Sequence, residues 1–212
     1  MIRKKWYINL FLFLVRLTAG IPALLLFKPR IRRLYKGRLP KSCILVSNHT
    51  ALLDFALYLL VFPVRTIRFL MAEVLFDNRK LLSWFLYSCG GIRVDRNAKD
   101  FSFVADAVEV LDKGGTIGVF PEGRLPVKGK PFPFTVSTAY IASHVDAPIV
   151  PVYTQGGYHP FRRANVVIGE PIHLQDLCPA GSDPKEHLEL ATQRLQETVY
   201  GLSVHIGKKK EK

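Results

Sequence analysis

Acid is what this chain is short of. Its 212 residues hold 17 Asp and Glu against 30 Lys and Arg, for a formal net charge of +13. That balance calls for an anionic partner: a nucleic acid, an anionic lipid surface or a phosphorylated substrate. No nucleic-acid recognition motif accompanies the charge, which sets the first of these aside. Cysteine is scarce too. Cys43, Cys89 and Cys178 are odd in number and far apart, so a disulfide framework and a paired-cysteine metal or redox motif are both excluded, and a reduced cytosolic setting fits. No Ser or Cys sits in a nucleophile-elbow pattern, and no metal-ligand set is apparent. Repeats and dividing linkers are absent as well, so at this length the chain is expected to be one domain.

Only one apolar run approaches membrane length. Residues 6–27 are mostly apolar, yet Arg16 falls mid-segment and Gly20 and Pro22 split the run into two pieces of roughly ten residues. A spanning helix needs about 20 apolar residues, and a mid-membrane arginine costs about 3 kcal/mol on insertion scales. The segment therefore reads as a shallow helical hairpin lying in one leaflet, a membrane-associated anchor rather than a span. Residues 28–38 follow with six basic residues in eleven, the pattern expected beside anionic phospholipid headgroups. The expected location is the cytoplasmic face of the cell membrane.

Beyond residue 40, strand-like and helix-like segments alternate. Cys43–Ser47, Thr66–Met71, Ile92–Val94, Thr116–Phe120, Pro148–Tyr153 and Ala164–Ile168 read as strands. The prolines of the fifth argue for an irregular or edge position. Helices are expected over 50–62 with Thr50 as N-cap, 74–89, 101–112, 135–144 and from Asp183 onward, where Asp183, Pro184 and Glu186 make a clear start. This alternation predicts an α/β fold: a central mostly parallel or mixed sheet flanked by helices. The expected division is an anchor over 1–40, a catalytic domain over 41–206 and a basic tail over 207–212.

His49 stands five positions ahead of Asp54, between an apolar strand and an apolar helix. Histidine takes and returns a proton near neutral pH, and a carboxylate on its other nitrogen fixes the tautomer. Alone, the pair reads equally as an idle polar loop with Asp54 as a cap. Positions five apart on a helix lie about 140° from each other, so the two meet only if His49 lies outside the first turn and folds back. His49, Arg96, Glu122 and Arg124 each lie a few residues past the end of an expected strand. In parallel sheets that rim is where ligands gather.

The motifs resemble those of the glycerolipid acyltransferases. Asn48-His49-Thr-Ala-Leu-Leu-Asp54 resembles the NHx4D signature, Gly91-Ile-Arg-Val-Asp-Arg96 the second block, Phe120-Pro-Glu-Gly-Arg124 the third and Ala147-Pro-Ile-Val-Pro-Val152 the fourth, in family order. The third block departs from the common FPEGTR, because Arg124 follows Gly123 directly. The resemblance implies acyl transfer from a thioester donor, acyl-CoA or acyl carrier protein, with no cofactor. It implies lysophosphatidic acid as acceptor and phosphatidic acid as product. His49 would be the general base and Asp54 its partner; Arg96, Glu122, Gly123 and Arg124 would bind the acceptor phosphate. Open alternatives are another acceptor (glycerol 3-phosphate, a lysophospholipid or a lyso-aminolipid), a hydrolase, or a non-catalytic protein that binds anionic lipid.

Overall fold

The computed structural model of the chain describes residues 7–15, 18, 22, 28–77, 79–95, 102–156, 163–178 and 183–207. Seven strands form one mixed sheet: β1 (Arg30–Arg33), β2 (Cys43–Ser47), β3 (Ile67–Ala72), β4 (Ile92–Val94), β5 (Thr116–Val119), β6 (Ile149–Gln155) and β7 (Asn165–Ile168). Their order across the sheet is β1-β7-β6-β2-β5-β3-β4. Every pairing is parallel except β6 with β7. The helices are α1 (residues 7–15), α2 (Asp54–Val61), α3 (Val74–Asp77), α4 (Lys80–Ser88), α5 (Ser102–Asp112), α6 (Ser137–His144), α7 (Leu174–Leu177) and α8 (Pro184–Gly201).

The central strands are buried on both faces, as parallel sheets require. All five residues of β2 are buried. One face packs Ile44, Val46, Ile117 and Val119 against α5, α6 and α8; the other packs Leu45, Phe69 and Val152 against α2, α3 and α4. Burying a side chain of this size contributes about 1.5–3 kcal/mol, so the two layers hold the sheet from either side. α1 forms a small satellite core in which Ile8 and Leu12 meet Leu59 and Cys89.

Four features differ from the sequence expectations. Pro148–Tyr153 was expected to be irregular or at an edge, but β6 is a seven-residue strand lying between β7 and β2. Its Pro151 is tolerated because its carbonyl, and hence its N–H side, faces Gly169, just past the end of β7. The basic run at 28–38 contributes β1, a parallel edge strand paired with β7 along its whole length. Its charges suit an edge, where they discourage pairing with another chain. The single helix expected over 74–89 is two helices, α3 and α4. Thr50 does not cap α2: the helix starts at Asp54, with Leu53 in the cap position and no side-chain cap bond. Thr50 gives both its N–H and its hydroxyl to the Asp54 carboxylate instead.

The last helix begins as expected, with Asp183 accepting from the Lys185 N–H and Pro184 in the first turn. It buries Ala191, Leu195 and Val199 and passes into a 3-10 turn at Leu202–His205. Of the hairpin expected over 6–27, α1 over residues 7–15 is described, and most of the second half lies outside the described residues. Among the described residues, no helix is long and apolar enough to cross a membrane.

Candidate active site

Because β2, β5, β3 and β4 run parallel, their carboxyl ends share one rim. The turn after β2 bends back on Asp54, which is fully buried. Its Oδ2 accepts from His49 Nδ1 at 2.8 Å, from Thr50 N at 2.6 Å and from Ala51 N at 3.0 Å, while Oδ1 accepts from Thr50 Oγ1 at 3.0 Å. Four donors converge on one carboxylate. That arrangement makes the imidazole donate through Nδ1 and leaves the Nε2 lone pair for another proton. The fold-back required by a five-residue spacing is met because residues 50–53 stay outside the helix.

The histidine ring is also held from its face. Phe120 stacks on it at 4.5 Å between centroids and 16° between planes, and Phe69 stacks on Phe120 in turn at 5.6 Å and 8°. Phe69 fits there because residue 118, beneath it on β5, is glycine; a Cβ at Gly118 would overlap the Phe69 ring. The neighbouring Asn48 pins the turn to β6, donating from Nδ2 to the Thr154 carbonyl at 2.9 Å and accepting from Thr154 N at 2.8 Å. Beneath it Tyr58 donates to Ser47 Oγ and accepts from Thr154 Oγ1 at 2.9 Å. Burial pushes the Tyr58 phenol well above its ordinary range.

Glu122 follows β5 and is 3% exposed. Its Oε1 accepts from His49 N at 3.0 Å and from Tyr200 Oη at 2.7 Å; its Oε2 accepts from Phe132 N at 3.4 Å. Gly123 adopts φ +65°, the left-handed region that suits glycine, and turns the chain outward. Arg124 is exposed, its guanidinium 4.7 Å above the Phe132 ring. Arg96 lies outside the described residues. Arg93, on β4, is already committed to Asp77 at 3.1 Å and Glu73 at 3.9 Å. Of the expected site residues, then, His49, Asp54, Glu122 and Gly123 converge, and Arg124 stands on the adjoining loop.

His49, Phe120 and Gly123 line a cavity of about 610 Å³. Its walls are mainly apolar: Leu52, Leu53, Phe55, Met71, Leu75, Leu82, Phe85 and Leu86 among them. The volume lies within the roughly 300–1,000 Å³ usual for ligand pockets. Thr135 and Ser137 add hydroxyls, and Asp95 a carboxylate. Among the described residues no group of His, Cys, Asp or Glu is placed to hold a metal ion. The sequence reading missed Tyr200 and Phe132 in this site. A tyrosine on the shoulder of an amphipathic helix carries no local signal of what it touches.

A carboxylate-held histidine thus lines an apolar cavity on the carboxyl rim of an α/β sheet. Residues 30–155, more than half of the chain, match the Acyltransferase family, and the chain belongs to that family. It is 30% identical over 122 residues to the human 1-acyl-sn-glycerol-3-phosphate acyltransferase beta, covering 57% of this chain and 43% of that protein. To the 1-acyl-sn-glycerol-3-phosphate acyltransferase of Limnanthes alba it is 27% identical over 147 residues, covering 68% and 52% respectively. The chain thus spans about half the length of the curated relatives it matches. Among solved structures, the crystal structure of the 1-acyl-sn-glycerophosphate (LPA) acyltransferase PlsC from Thermotoga maritima shares the fold. Its TM-score is 0.60 at 24% identity, with 87% of this chain and 76% of that one covered.

Proposed function

We propose that the protein moves a fatty acyl group from a thioester donor to the free hydroxyl of lysophosphatidic acid, giving phosphatidic acid. The observation that carries this reading is the His49–Asp54 pair opening onto a large apolar cavity. The cavity takes the acyl chain, and His49 Nε2 takes the proton of the acceptor hydroxyl. As that oxygen bonds to the thioester carbon, the carbon–sulfur bond breaks and the proton passes from the imidazolium to the departing thiolate. The acceptor brings its own nucleophile, so no covalent enzyme intermediate is needed. Such a base contributes on the order of 10²–10⁴ in rate. The names of the human, Limnanthes and Thermotoga relatives support the acceptor assignment. Arg124 fits the acceptor phosphate because a planar guanidinium binds phosphate oxygens in pairs. The donor carrier is acyl-CoA or acyl carrier protein, and no cofactor takes part.

Docking on an anionic phospholipid membrane at the cytoplasmic face belongs to the same reading. Leu10, Phe13 and Leu14 on α1 and Leu81 and Trp84 on α4 are exposed apolar side chains. The two helices pack together through Phe11, whose ring meets Trp84 at 5.6 Å and Phe85 at 5.9 Å. Leu82 and Phe85 of α4 also line the cavity, so an acyl chain leaving the bilayer would have a short path to His49.

A second acceptor class is favoured by one observation. Glu73 and Asp77 gather on Arg93, and Asp95 lines the cavity. Burial and the neighbouring Asp95 both push the Glu73 carboxyl up. An acceptor carrying an amine would suit that corner better than a phosphate. Radiolabelled acyl transfer to lysophosphatidic acid, in competition with glycerol 3-phosphate, lysophospholipids and a lyso-aminolipid and with both donors, separates the two. Lysophosphatidic acid should outcompete the rest, and His49→Ala should abolish transfer while leaving the fold intact. Near wild-type transfer by folded His49→Ala would falsify the base assignment.

A further inference from the structure

The Glu122–Arg124 loop leaves the sheet after Val119 and rejoins helical structure only at Ser137. Between residues 123 and 145 there is no acidic side chain, so the loop's three cations, Arg124, Lys128 and Lys130, have no counter-charge within that stretch. Besides its own bonds, such as Thr135 N to the Pro121 carbonyl at 2.9 Å, the loop is held at two points by α8. Tyr200 donates to Glu122 Oε1 at 2.7 Å, at the start of the loop. Gln196, one turn earlier on the same helix, accepts the Phe134 N–H through its Oε1 at 3.1 Å, near the loop's end. The Tyr200 ring is wedged between Phe134 at 6.1 Å and Tyr153 at 5.9 Å.

These two side chains are not the packing stripe of α8, which is Ala191, Leu195, Val199 and then Leu202. They flank it, half-buried, and their polar atoms are directed to the two ends of a single loop. The oxygen that Tyr200 engages is the one that holds the His49 peptide N–H. A hydroxyl on the last helix is therefore two hydrogen bonds from the backbone of the proposed base.

We infer that Tyr200 and Gln196 are positioning residues: Tyr200 fixes Glu122, and through it the His49 peptide, while Gln196 fixes the loop on which Arg124 stands. This rests on the acyl-transfer reading above and adds a division of labour within it. The Tyr200 end governs the chemical step and the Gln196 end governs capture of the phosphorylated acceptor. Glu122 then serves as a strut, since both its oxygens already have protein donors. The phenol of Tyr200 is pushed well above its ordinary range by burial and by Glu122, so it remains a donor throughout the neutral range.

The test is a set of full-length variants assayed for acyl transfer in lipid vesicles. Tyr200→Phe keeps the ring and removes only the hydroxyl. It should lower kcat on the order of tenfold, the scale of one hydrogen bond to a charged group, with KM for the donor unchanged. Gln196→Ala should raise KM for lysophosphatidic acid severalfold with little change in kcat, and Gln196→Glu, which keeps an acceptor oxygen, should recover that KM. Tyr200→Phe combined with Glu122→Ala should be no worse than Glu122→Ala alone, because alanine has already removed the acceptor of that link. The His49 backbone amide resonance should shift in Tyr200→Phe. Kinetic constants within twofold of wild type in Tyr200→Phe, or strictly additive losses in the double variant, overturn the inference. If the wild type transfers no acyl group to any acceptor, the functional reading falls. The His49 amide then still decides the link from Tyr200 through Glu122, since an unmoved resonance in Tyr200→Phe removes it.

Discussion

The Glu122 carboxylate bonds the peptide N–H of His49 at 3.0 Å and leaves the imidazole to Asp54. Two acids thus hold one histidine, one by its backbone and one by its ring. The ring partner sets the tautomer; the backbone partner sets where the ring stands.

Glu122→Ala and Glu122→Gln separate geometry from charge. Glutamine keeps an acceptor oxygen for the His49 N–H and the Tyr200 hydroxyl; alanine leaves both without one. Glu122→Ala should lower kcat by about a hundredfold and Glu122→Gln by no more than about tenfold, in line with the cost of leaving buried donors unsatisfied. Steady-state acyl transfer measures both. Equal losses would point to the negative charge itself as the working feature.

Asp54→Asn tests the ring partner. The amide oxygen can take the place of Oδ2 toward His49 Nδ1, Thr50 N and Ala51 N, but only as a neutral acceptor. The imidazolium formed during transfer then loses its counter-charge. We expect kcat to fall about 10²–10⁴-fold with a modest change in KM. Stability should also drop by about 1–3 kcal/mol, since Thr50 and Ala51 lose part of their shared acceptor. Denaturant unfolding and initial rates report the two effects separately. A large stability loss with an unchanged kcat would make Asp54 a cap and nothing more.

What could be read from the sequence follows the range of the forces involved. Alternating apolar segments set the sheet and its helices, because burial on both faces of a parallel strand leaves a continuous apolar run. The His49–Asp54 meeting was legible because it is local: five residues, a strand end and a helix start. β1 was not. Its sequence, Arg30-Ile-Arg-Arg33, has one apolar residue in four, and only the long-range pairing with β7 makes it a strand. Pro151 misled for a related reason: whether a missing N–H matters depends on the neighbouring strand, and here β7 has already ended. Tyr200 is 78 residues from Glu122, and nothing local reports such a contact.

Gly118→Ala probes the aromatic stack behind His49. The added methyl would overlap the Phe69 ring, and displacing Phe69 carries Phe120 with it and loosens the imidazole. Overpacking of this kind costs about 1–3 kcal/mol. We expect that loss in chemical denaturation, together with a reduced kcat. Pairing it with Phe69→Leu, which makes room, should restore part of both. No recovery in the pair would mean that the overlap is relieved by some other movement of the sheet.

Alkaline pH should expose Tyr58. Its phenol is pushed up chiefly by burial, so the unfolded chain releases this proton first, near pH 10. Stability from this group is therefore intact below about pH 10 and declines as pH rises toward the folded value, by about 1.4 kcal/mol per pH unit. Tyr58→Phe should show a shallower decline between pH 10 and 12 in Tm measurements. It should also be less stable at pH 7, because Ser47 and Thr154 lose their partner. A decline as steep as that of the wild type would assign the titration to another group, of which Tyr200 is the next candidate.

The exposed apolar stripe on α4 makes the membrane reading testable apart from catalysis. Leu81 is 78% exposed and Trp84 44%, and Arg79 and Lys80 stand at the start of the same helix. Apolar side chains beside cations suit an anionic bilayer surface, where each buried apolar group and each nearby cation adds to binding. Leu81→Glu with Trp84→Glu should leave the sheet intact, since neither residue belongs to the buried clusters. Sedimentation with phosphatidylglycerol-containing vesicles should then show severalfold weaker binding. Transfer to lysophosphatidic acid presented in vesicles should fall in step, while transfer to acceptor dispersed in detergent should hold near wild type. Equal losses in both assays would place the stripe in the cavity wall, with Leu82 and Phe85, rather than at the lipid surface.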